Sequence, residues 1–297
     1  MTWKPLARRE ARVHVKETGT WIIGVLLVGF YLLSYSSISD LVSDVLGADA
    51  AVLSLQVSFA NALLIGGLLL GHRAVLDERT TGRIKLTASM PHSRRDIIVG
   101  KVVGLAIPLV ALVIVLLLVA TGIAVVTNGI PSLGRLVLFG LVSVVYAVVC
   151  AGLGVALSSV ATTAVRVTGG MLLSLGTLLL WNTPVTMLYA RLTGTSINLY
   201  QPPADGVLFL VRRLDPRSTY FVVTNWLYDV GNAAGTYDAV VAELHAEMPT
   251  ITNVWVVNAT FERAPSYLAE PFGIVIMLVW LLPLAVAARS FENADIP

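Results

Sequence analysis

The chain has 297 residues, of which 56% are hydrophobic and only 13% are charged. Soluble domains carry roughly 25% charged residues, so this composition excludes an ordinary water-soluble fold. The formal net charge of +2 gives no reason to expect a nucleic-acid partner, and the single cysteine, Cys150, excludes an intrachain disulfide.

Residues 1–20 precede the first apolar block and are rich in basic side chains. Arg8, Arg12 and Lys16 are spaced four apart, which places them on one face of a helix. We expect this helix to lie in the cytoplasmic interface of the membrane, with lipid as its partner. A plain basic anchor that only sets the topology is the alternative interpretation.

Six apolar blocks follow, each with a length close to that of a membrane span. A bilayer core of about 30 Å requires roughly 20 apolar residues in a helix. The blocks are residues 21–35, 51–71, 102–126, 136–156, 165–181 and 271–288. The sequence therefore predicts an all-α integral membrane protein with six transmembrane helices, five in residues 21–181 and the sixth in residues 271–289.

The distribution of charge predicts which loops are cytoplasmic. Five basic residues precede the first block and seven lie in residues 72–101, whereas the loop after the first block has three aspartates and no Lys or Arg. By the positive-inside rule, both termini lie in the cytoplasm of a multi-pass protein of the cell membrane. Residues 182–270 would then form a structured extracellular segment, and residues 290–297 a cytoplasmic tail.

Residues 72–101 form the most polar cytoplasmic stretch and are best placed to meet a soluble partner. Gly82 and Pro91 are helix breakers, so they bound a short predicted helix over residues 83–90. Ser93 and Asp96 have the spacing of a capping box, which begins a new helix running into the third span. The pattern predicts a short helix held between two long ones.

Polar side chains are rare inside the predicted spans. None of the spans has Asp, Glu or Lys at its middle, where carriers driven by protons or sodium keep ionisable groups. Gln56 and Asn61 are the clearest central polar groups, and they either face a substrate pathway or make hydrogen bonds between helices. Two G-x-x-x-G patterns, at residues 67–71 and 100–104, predict close helix packing.

Signatures of enzymes and of cofactor sites are missing from the sequence. There is no G-x-x-x-x-G-K-[ST] phosphate loop, no H-E-x-x-H metal helix and no G-x-S-x-G nucleophile elbow. We therefore expect no catalysis, no metal and no cofactor on this chain. On the predicted outer side, Asn258 begins a glycosylation sequon.

The polar loop contains the most specific pattern in the chain. Residues 77–86 read DERTTGRIKL, and residues 89–101 read SMPHSRRDIIVGK. The two stretches contain, in order, a glutamate, a glycine, a short predicted helix, a proline, a Ser-Arg pair, an acidic residue, an apolar pair and a Gly-Lys pair. This order resembles the permease subunits of type-two (ABC-2 type) ABC exporters. The resemblance covers nearly the whole chain, and residues 1–20 are similar to the elbow helix of that family. Residues 182–270 are longer than the short pair of re-entrant helices found in many relatives.

The resemblance implies how the chain would work. Residues 83–90 would be a coupling helix that sits in a cleft of a separate ATPase subunit, which binds ATP and Mg²⁺. A second permease copy or a homologue would be the other partner. The residues expected at the coupling site are Glu78, Arg79, Gly82, Arg83, Ile84, Leu86, Met90, Pro91, Arg94 and Arg95.

A second pattern bears on the subgroup. Leu214-Asp215-Pro216, followed by Ser218 and Tyr220, resembles a pattern found in one subgroup of these permeases, which includes the nitrous-oxide-reductase maturation and sodium-efflux permeases.

Two functions remain open at this point: an ATP-driven permease, and a non-transporting membrane anchor or assembly factor whose extracellular segment binds a partner. An intramembrane enzyme would need paired catalytic groups, which the sequence lacks.

Overall fold

The computed structural model describes residues 3–38, 40–82, 93–194, 206–229, 234–237 and 272–293. Within these ranges the regular structure is helical and contains no strand, which confirms the predicted all-α class. In chain order the helices are α1 (Trp3–Lys16), α2 (Thr18–Ser36), α3 (Asp40–Leu46), α4 (Asp49–Thr80), α5 (Arg94–Thr127), α6 (Leu133–Val160), α7 (Ala164–Leu179), α8 (Asn182–Thr193), α9 (Gly206–Val211), α10 (Pro216–Leu227), α11 (Phe272–Val279) and α12 (Leu282–Asn293).

Four helices, α2, α4, α5 and α6, are long and apolar enough to cross a membrane, and they contain the first four predicted spans. The helix that contains the second predicted span, α4, continues beyond residue 71 to Thr80. Ser158 Oγ on α6 accepts hydrogen bonds from the backbone N–H groups of Val75 and Leu76, at 2.9 and 3.1 Å. These bonds hold the polar end of α4 against its neighbour.

The fifth and sixth predicted spans are broken helices, so the layout of six simple spans is not confirmed. The fifth reaches only Leu179, and α8 then departs from α7 at an angle of 73°. The 16 residues of α7 extend about 24 Å, less than the roughly 30 Å of a bilayer core. The sixth divides into α11 and α12, because Pro283 has no N–H to donate to Val279.

The N-terminal helix α1 packs along the first half of α5. Leu6, Ala7 and Ala11 are buried on its inner face, whereas the three basic residues predicted to share a face are exposed on the other. A Cβ atom added to Gly100 would lie 2.8 Å from the Cβ atom of Leu6, so the glycine is required for this close approach. The G-x-x-x-G pattern at residues 100–104 is therefore a helix-packing surface, as predicted.

The other G-x-x-x-G pattern brings α4 onto α6. A Cβ atom on Gly67 would overlap the backbone of Cys150, and one on Gly71 would lie 2.8 Å from the Cα atom of Gly154. The backbones of the two helices are therefore in direct contact, which only residues without a side chain permit. Cys150 is fully buried at this contact and is a packing residue.

Helix α10 belongs to residues 182–270, the predicted extracellular segment, and it packs against a spanning helix. Tyr220 of α10 stacks on Tyr146, with 4.6 Å between the ring centroids, and its hydroxyl lies 2.8 Å from Ser143 Oγ. Tyr146 and Ser143 are near the middle of the spanning helix α6. Because α10 packs against both α6 and α11, it lies inside the helix bundle, and we call it the re-entrant helix; the extracellular placement of residues 182–270 stays a prediction.

Candidate functional site

The two ends of the predicted coupling loop have the local structure that the sequence predicts. Gly82 has φ of +72°, a left-handed conformation that favours glycine and ends α4. At the other end, Ser93 Oγ accepts a hydrogen bond from the N–H of Asp96 at 3.1 Å, and the N–H of Ser93 donates to Asp96 Oδ2 at 3.1 Å. This reciprocal pair confirms the capping box at the start of α5.

Four charged residues meet where α1, α4 and α5 come together, and we call them the cytoplasmic charge cluster after their side in the predicted orientation: Arg9, Glu10, Glu78 and Lys101. Glu78 Oε1 accepts from Arg9 Nη2 at 2.8 Å and lies 3.1 Å from Lys101 Nζ. Glu10 Oε1 accepts from Arg9 Nη2 at 2.9 Å and lies 3.7 Å from Lys101 Nζ. The cluster thus joins the end of α4 and the start of α5 to the N-terminal helix.

Burial makes this cluster stronger than a surface ion pair. The side chain of Lys101 is 4% exposed, and those of Glu10 and Glu78 are 12% and 13% exposed. Burial alone would raise the pKa of Glu10, but the charge of Lys101, the hydrogen bond from Arg9 and the charge of Arg9 outweigh it. The pKa of Glu10 is therefore lowered, and its carboxylate stays ionised at neutral pH.

The structure describes five of the ten residues expected at the ATPase contact: Glu78 and Arg79 at the end of α4, Gly82 after it, and Arg94 and Arg95 in the first turn of α5. Glu78 turns inward to Arg9 and Lys101, while its Oε2 atom is buried and accepts no hydrogen bond. Arg79 and Arg94 lie close enough that, after burial, the charge of Arg94 is the second cause that lowers the pKa of Arg79. Arg83, Ile84, Leu86, Met90 and Pro91 lie outside the described residues.

Gln56 is the centre of a second group, the polar core: Gln56, Thr224, Asn225 and Tyr237. Gln56 Nε2 donates to Thr224 Oγ1 and to Asn225 Oδ1, both at 2.7 Å, and its Oε1 accepts from the N–H of Tyr237 at 3.0 Å. Gln56 is fully buried. Gln56 thus makes hydrogen bonds between helices, here to α10, and its place on a substrate pathway stays a prediction.

Asn61 has a local role. Its Nδ2 donates to the backbone carbonyl of Val57 at 2.8 Å, within a π-helical turn at Phe59–Leu63. The Tyr146 hydroxyl donates to the carbonyl of Ala60 in the same turn at 2.7 Å. Polar groups released by the irregular turn are thereby satisfied inside the bundle, as the membrane interior requires.

A third group, the outer charge cluster, consists of Asp49, Arg135 and Asp229. Asp49 at the start of α4 accepts from the N–H of Ser132 at 2.8 Å and from Arg135 at 3.4 Å. Arg135 also donates to Asp229, directly after α10, where Asp229 has an uncommon positive φ of 57°. This cluster holds the outer end of α10 against α4 and α6.

The motif around Asp215 builds the inner end of the re-entrant helix. Asp215 is the N-cap of α10: its Oδ2 accepts from the N–H of Ser218 at 2.8 Å, and Pro216 occupies the first turn. Trp181 and Trp280 donate from Nε1 to the carbonyls of Val211 and Leu214, at 2.8 and 2.6 Å. Two carbonyl groups before α10 thus accept hydrogen bonds from tryptophans of other helix pairs.

Sequence reasoning missed most partners in these clusters. Thr224, Asn225 and Tyr237 were expected outside the membrane, so no pattern linked them to Gln56. Lys101 gave the one usable signal, since a lysine at the start of a long apolar span requires a carboxylate partner when buried. Arg9 and Glu10 lie within the predicted N-terminal helix, where no sequence pattern distinguishes them from their neighbours.

The comparison with known families agrees with this architecture. The family model described as ABC-2 family transporter protein matches residues 5–296. The chain belongs to the ABC-2 transporter family. ABC-2 family membrane proteins are generally the permease component of an ABC transporter, they are not themselves catalytic, and they typically work with an ATPase subunit and often dimerise. No curated protein is significantly similar to this chain.

Proposed function

We propose that this ABC-2 protein is the permease subunit of an ATP-driven exporter in the cell membrane, with both termini in the cytoplasm. Two copies, or one copy and a homologue, would form the substrate pathway. A separate ATPase subunit would bind ATP and Mg²⁺ and engage the loop of residues 72–101. The nitrous-oxide maturation and sodium-efflux subgroup stays a prediction from residues 214–220.

One observation carries the proposal: α4 makes polar contacts at three depths of the bundle. Glu78 near its cytoplasmic end belongs to the cytoplasmic charge cluster. Gln56 belongs to the polar core and lies two helical turns from the other end of α4. Asp49, at that end, belongs to the outer charge cluster. A displacement of the cytoplasmic end of α4 is thereby coupled to the re-entrant helix α10.

The loop that would receive the ATPase is held at both ends by the cytoplasmic charge cluster. Glu78 lies just before the loop residues 83–90 and Lys101 just after them, and the two are 3.1 Å apart. A force on the loop would therefore move α4, α5 and α1 together instead of bending one helix. Closure of the ATPase subunits on ATP would select one of two arrangements of the bundle, and hydrolysis would restore the other.

Co-purification tests the proposal directly. The chain is purified from its native host through a tag on the permease, and the preparation is assayed for a bound ABC-type ATPase subunit and for ATP hydrolysis. Arg79→Ala with Arg94→Ala is expected to lower both, because these side chains lie at the two ends of the loop. Arg166→Ala is the matched control, since Arg166 is exposed in the first turn of α7, away from the loop of residues 72–101, and the one bond of its side chain among the described residues is to Thr162. Wild-type retention of the ATPase by the double variant would contradict the coupling assignment.

The second function, a non-transporting anchor or assembly factor, derives from the length of residues 182–270. The re-entrant helix α10 uses part of that length inside the bundle. An anchor would purify without an ATPase, and its association with an extracellular partner would not respond to ATP. The same co-purification therefore distinguishes the two functions.

A further inference from the structure

A groove of about 350 Å³ runs along the bundle between α5 and α12. Its walls are apolar and include Ile98 and Val99 from α5 and Leu284 from α12. Arg95 lies one helical turn before Ile98, and Arg289 lies near the end of α12. The groove therefore has an apolar interior and two guanidinium groups at one end.

The depth of the groove matches one leaflet of a bilayer. Leu281 and Arg289 both line it, and this separation corresponds to about 12 Å along a helix. The hydrocarbon core of one leaflet is about 15 Å thick, half of the roughly 30 Å bilayer core. Because α5 begins at the predicted cytoplasmic side, the two arginines lie at the level of the inner-leaflet headgroups.

We propose that this groove binds an anionic phospholipid of the inner leaflet. The phosphate of the headgroup would lie between Arg95 and Arg289, because guanidinium groups match the geometry of phosphate oxygens. One acyl chain would occupy the apolar part beside Leu284 and Ala285. Basic sites between spanning helices on the cytoplasmic side are suited to such headgroups.

The order of polarity along the groove favours a lipid over other occupants. A soluble subunit could contact the two arginines but would not reach Leu281 inside the hydrocarbon layer. Free phosphate would need the arginines and would gain nothing from the apolar walls. An anionic amphiphile uses both parts, and the inner leaflet supplies it at high local concentration.

Native mass spectrometry of the purified chain tests the site. The protein in detergent is titrated with phosphatidylglycerol or phosphatidylcholine of the same acyl chains, and retained lipid is counted. We expect the wild type to retain phosphatidylglycerol preferentially. Each of Arg95→Ala and Arg289→Ala should weaken that affinity roughly fivefold, and the double variant about 30-fold. Arg166→Ala, which removes an exposed arginine away from the groove, should bind like the wild type.

A second variant separates the acyl chain from the headgroup. Ala285→Trp fills the groove while leaving both arginines, and it should also lose the preference for phosphatidylglycerol. Inorganic phosphate should not displace the bound lipid. Wild-type affinity in the double arginine variant would overturn the proposal, and so would displacement by phosphate. If Ala285→Trp abolished dimers but still bound the lipid, the proposal would also be overturned, because the groove would then be an interface between two copies of the chain.

Discussion

The cytoplasmic charge cluster and the polar core both join α4 to other helices, but they do so with different chemistry. The first uses four charged side chains beside water, and three of them retain 4–13% exposure. The second uses amide and hydroxyl groups with no exposure at Gln56, Thr224 or Asn225. Charges can exchange partners where water reaches them, whereas neutral groups avoid the cost of a charge in the membrane interior. The difference suits a charged attachment at the Glu78 end of α4 and a neutral, fully buried attachment near its Asp49 end.

The largest expected effect comes from removing the central cation of the charge cluster. Lys101→Met would leave Glu10 and Glu78 buried together with only Arg9 as a counter-ion. Breaking a buried ion pair by removing one partner costs about 3 kcal/mol. We expect a corresponding fall in the free energy of unfolding in detergent, together with faster hydrogen exchange in α1. Lys16→Met, on the exposed face of the same helix, should change neither measurement.

Removal of the amide at the polar core should have the next largest effect. Gln56→Leu keeps a similar volume but leaves Thr224, Asn225 and the N–H of Tyr237 without that partner. Unpaired buried groups cost about 1–3 kcal/mol, so we expect a loss of about 2 kcal/mol on thermal unfolding. Asn61→Leu is the control, because its side chain bonds only within its own helix and should cost less than 1 kcal/mol. Equal effects of the two substitutions would show that the bond between helices contributes nothing.

Loss of the cap on the re-entrant helix should have a smaller effect. Asp215→Ala removes the acceptor of the Ser218 N–H at the buried start of α10, and N-cap removal costs about 1 kcal/mol. Thr163→Ala removes the exposed cap of α7, where water can replace the lost oxygen. Hydrogen exchange of residues 216–227 should rise in the first variant, and exchange of α7 should change less in the second.

Lowering the pH should have the smallest effect, and it should weaken the cytoplasmic charge cluster without weakening the polar core. The folded pKa of Glu10 is below its ordinary value of 4.5, so its ionised form stabilises the docked α1 fully above pH 4.5. This contribution is lost as the pH falls below 4.5 through the folded pKa. Hydrogen exchange of α1 should accelerate in that range after correction for the intrinsic rate. The backbone amide of Gln56 should stay equally protected from exchange after the same correction, because no side chain of the polar core titrates in acid.

The sequence predicted the features that depend on neighbouring residues. The capping box at Ser93 and Asp96, the helix-ending Gly82 and both G-x-x-x-G surfaces follow from local geometry. The re-entrant path of α10 did not follow, because its mixture of aromatic and polar residues resembles that of a surface helix until Tyr146 and Gln56 are brought beside it. The clusters on α4 also escaped prediction, since Arg9 and Glu78 are 69 positions apart in the chain.

The breaks in the last two spans show another limit of hydropathy. Apolar content alone gave a continuous span over residues 271–288, although Pro283 interrupts its hydrogen bonds. Residues 165–181 met the composition of a span but are too short to cross as a single helix. At each break a tryptophan, Trp181 or Trp280, donates from its indole N–H to a carbonyl of residues 211–214, a contact that no window of sequence contains.

Hydrogen exchange of the purified permease–ATPase complex tests the central claim, that α4 couples the cytoplasmic loop to the re-entrant helix. Exchange is measured in residues 216–227 with and without ATP and Mg²⁺, in the wild type and in Gln56→Leu. The account predicts that ATP changes exchange in the wild type, and that Gln56→Leu removes the change although the ATPase stays bound. An equal response to ATP in both proteins, or no response in the wild type, would contradict it.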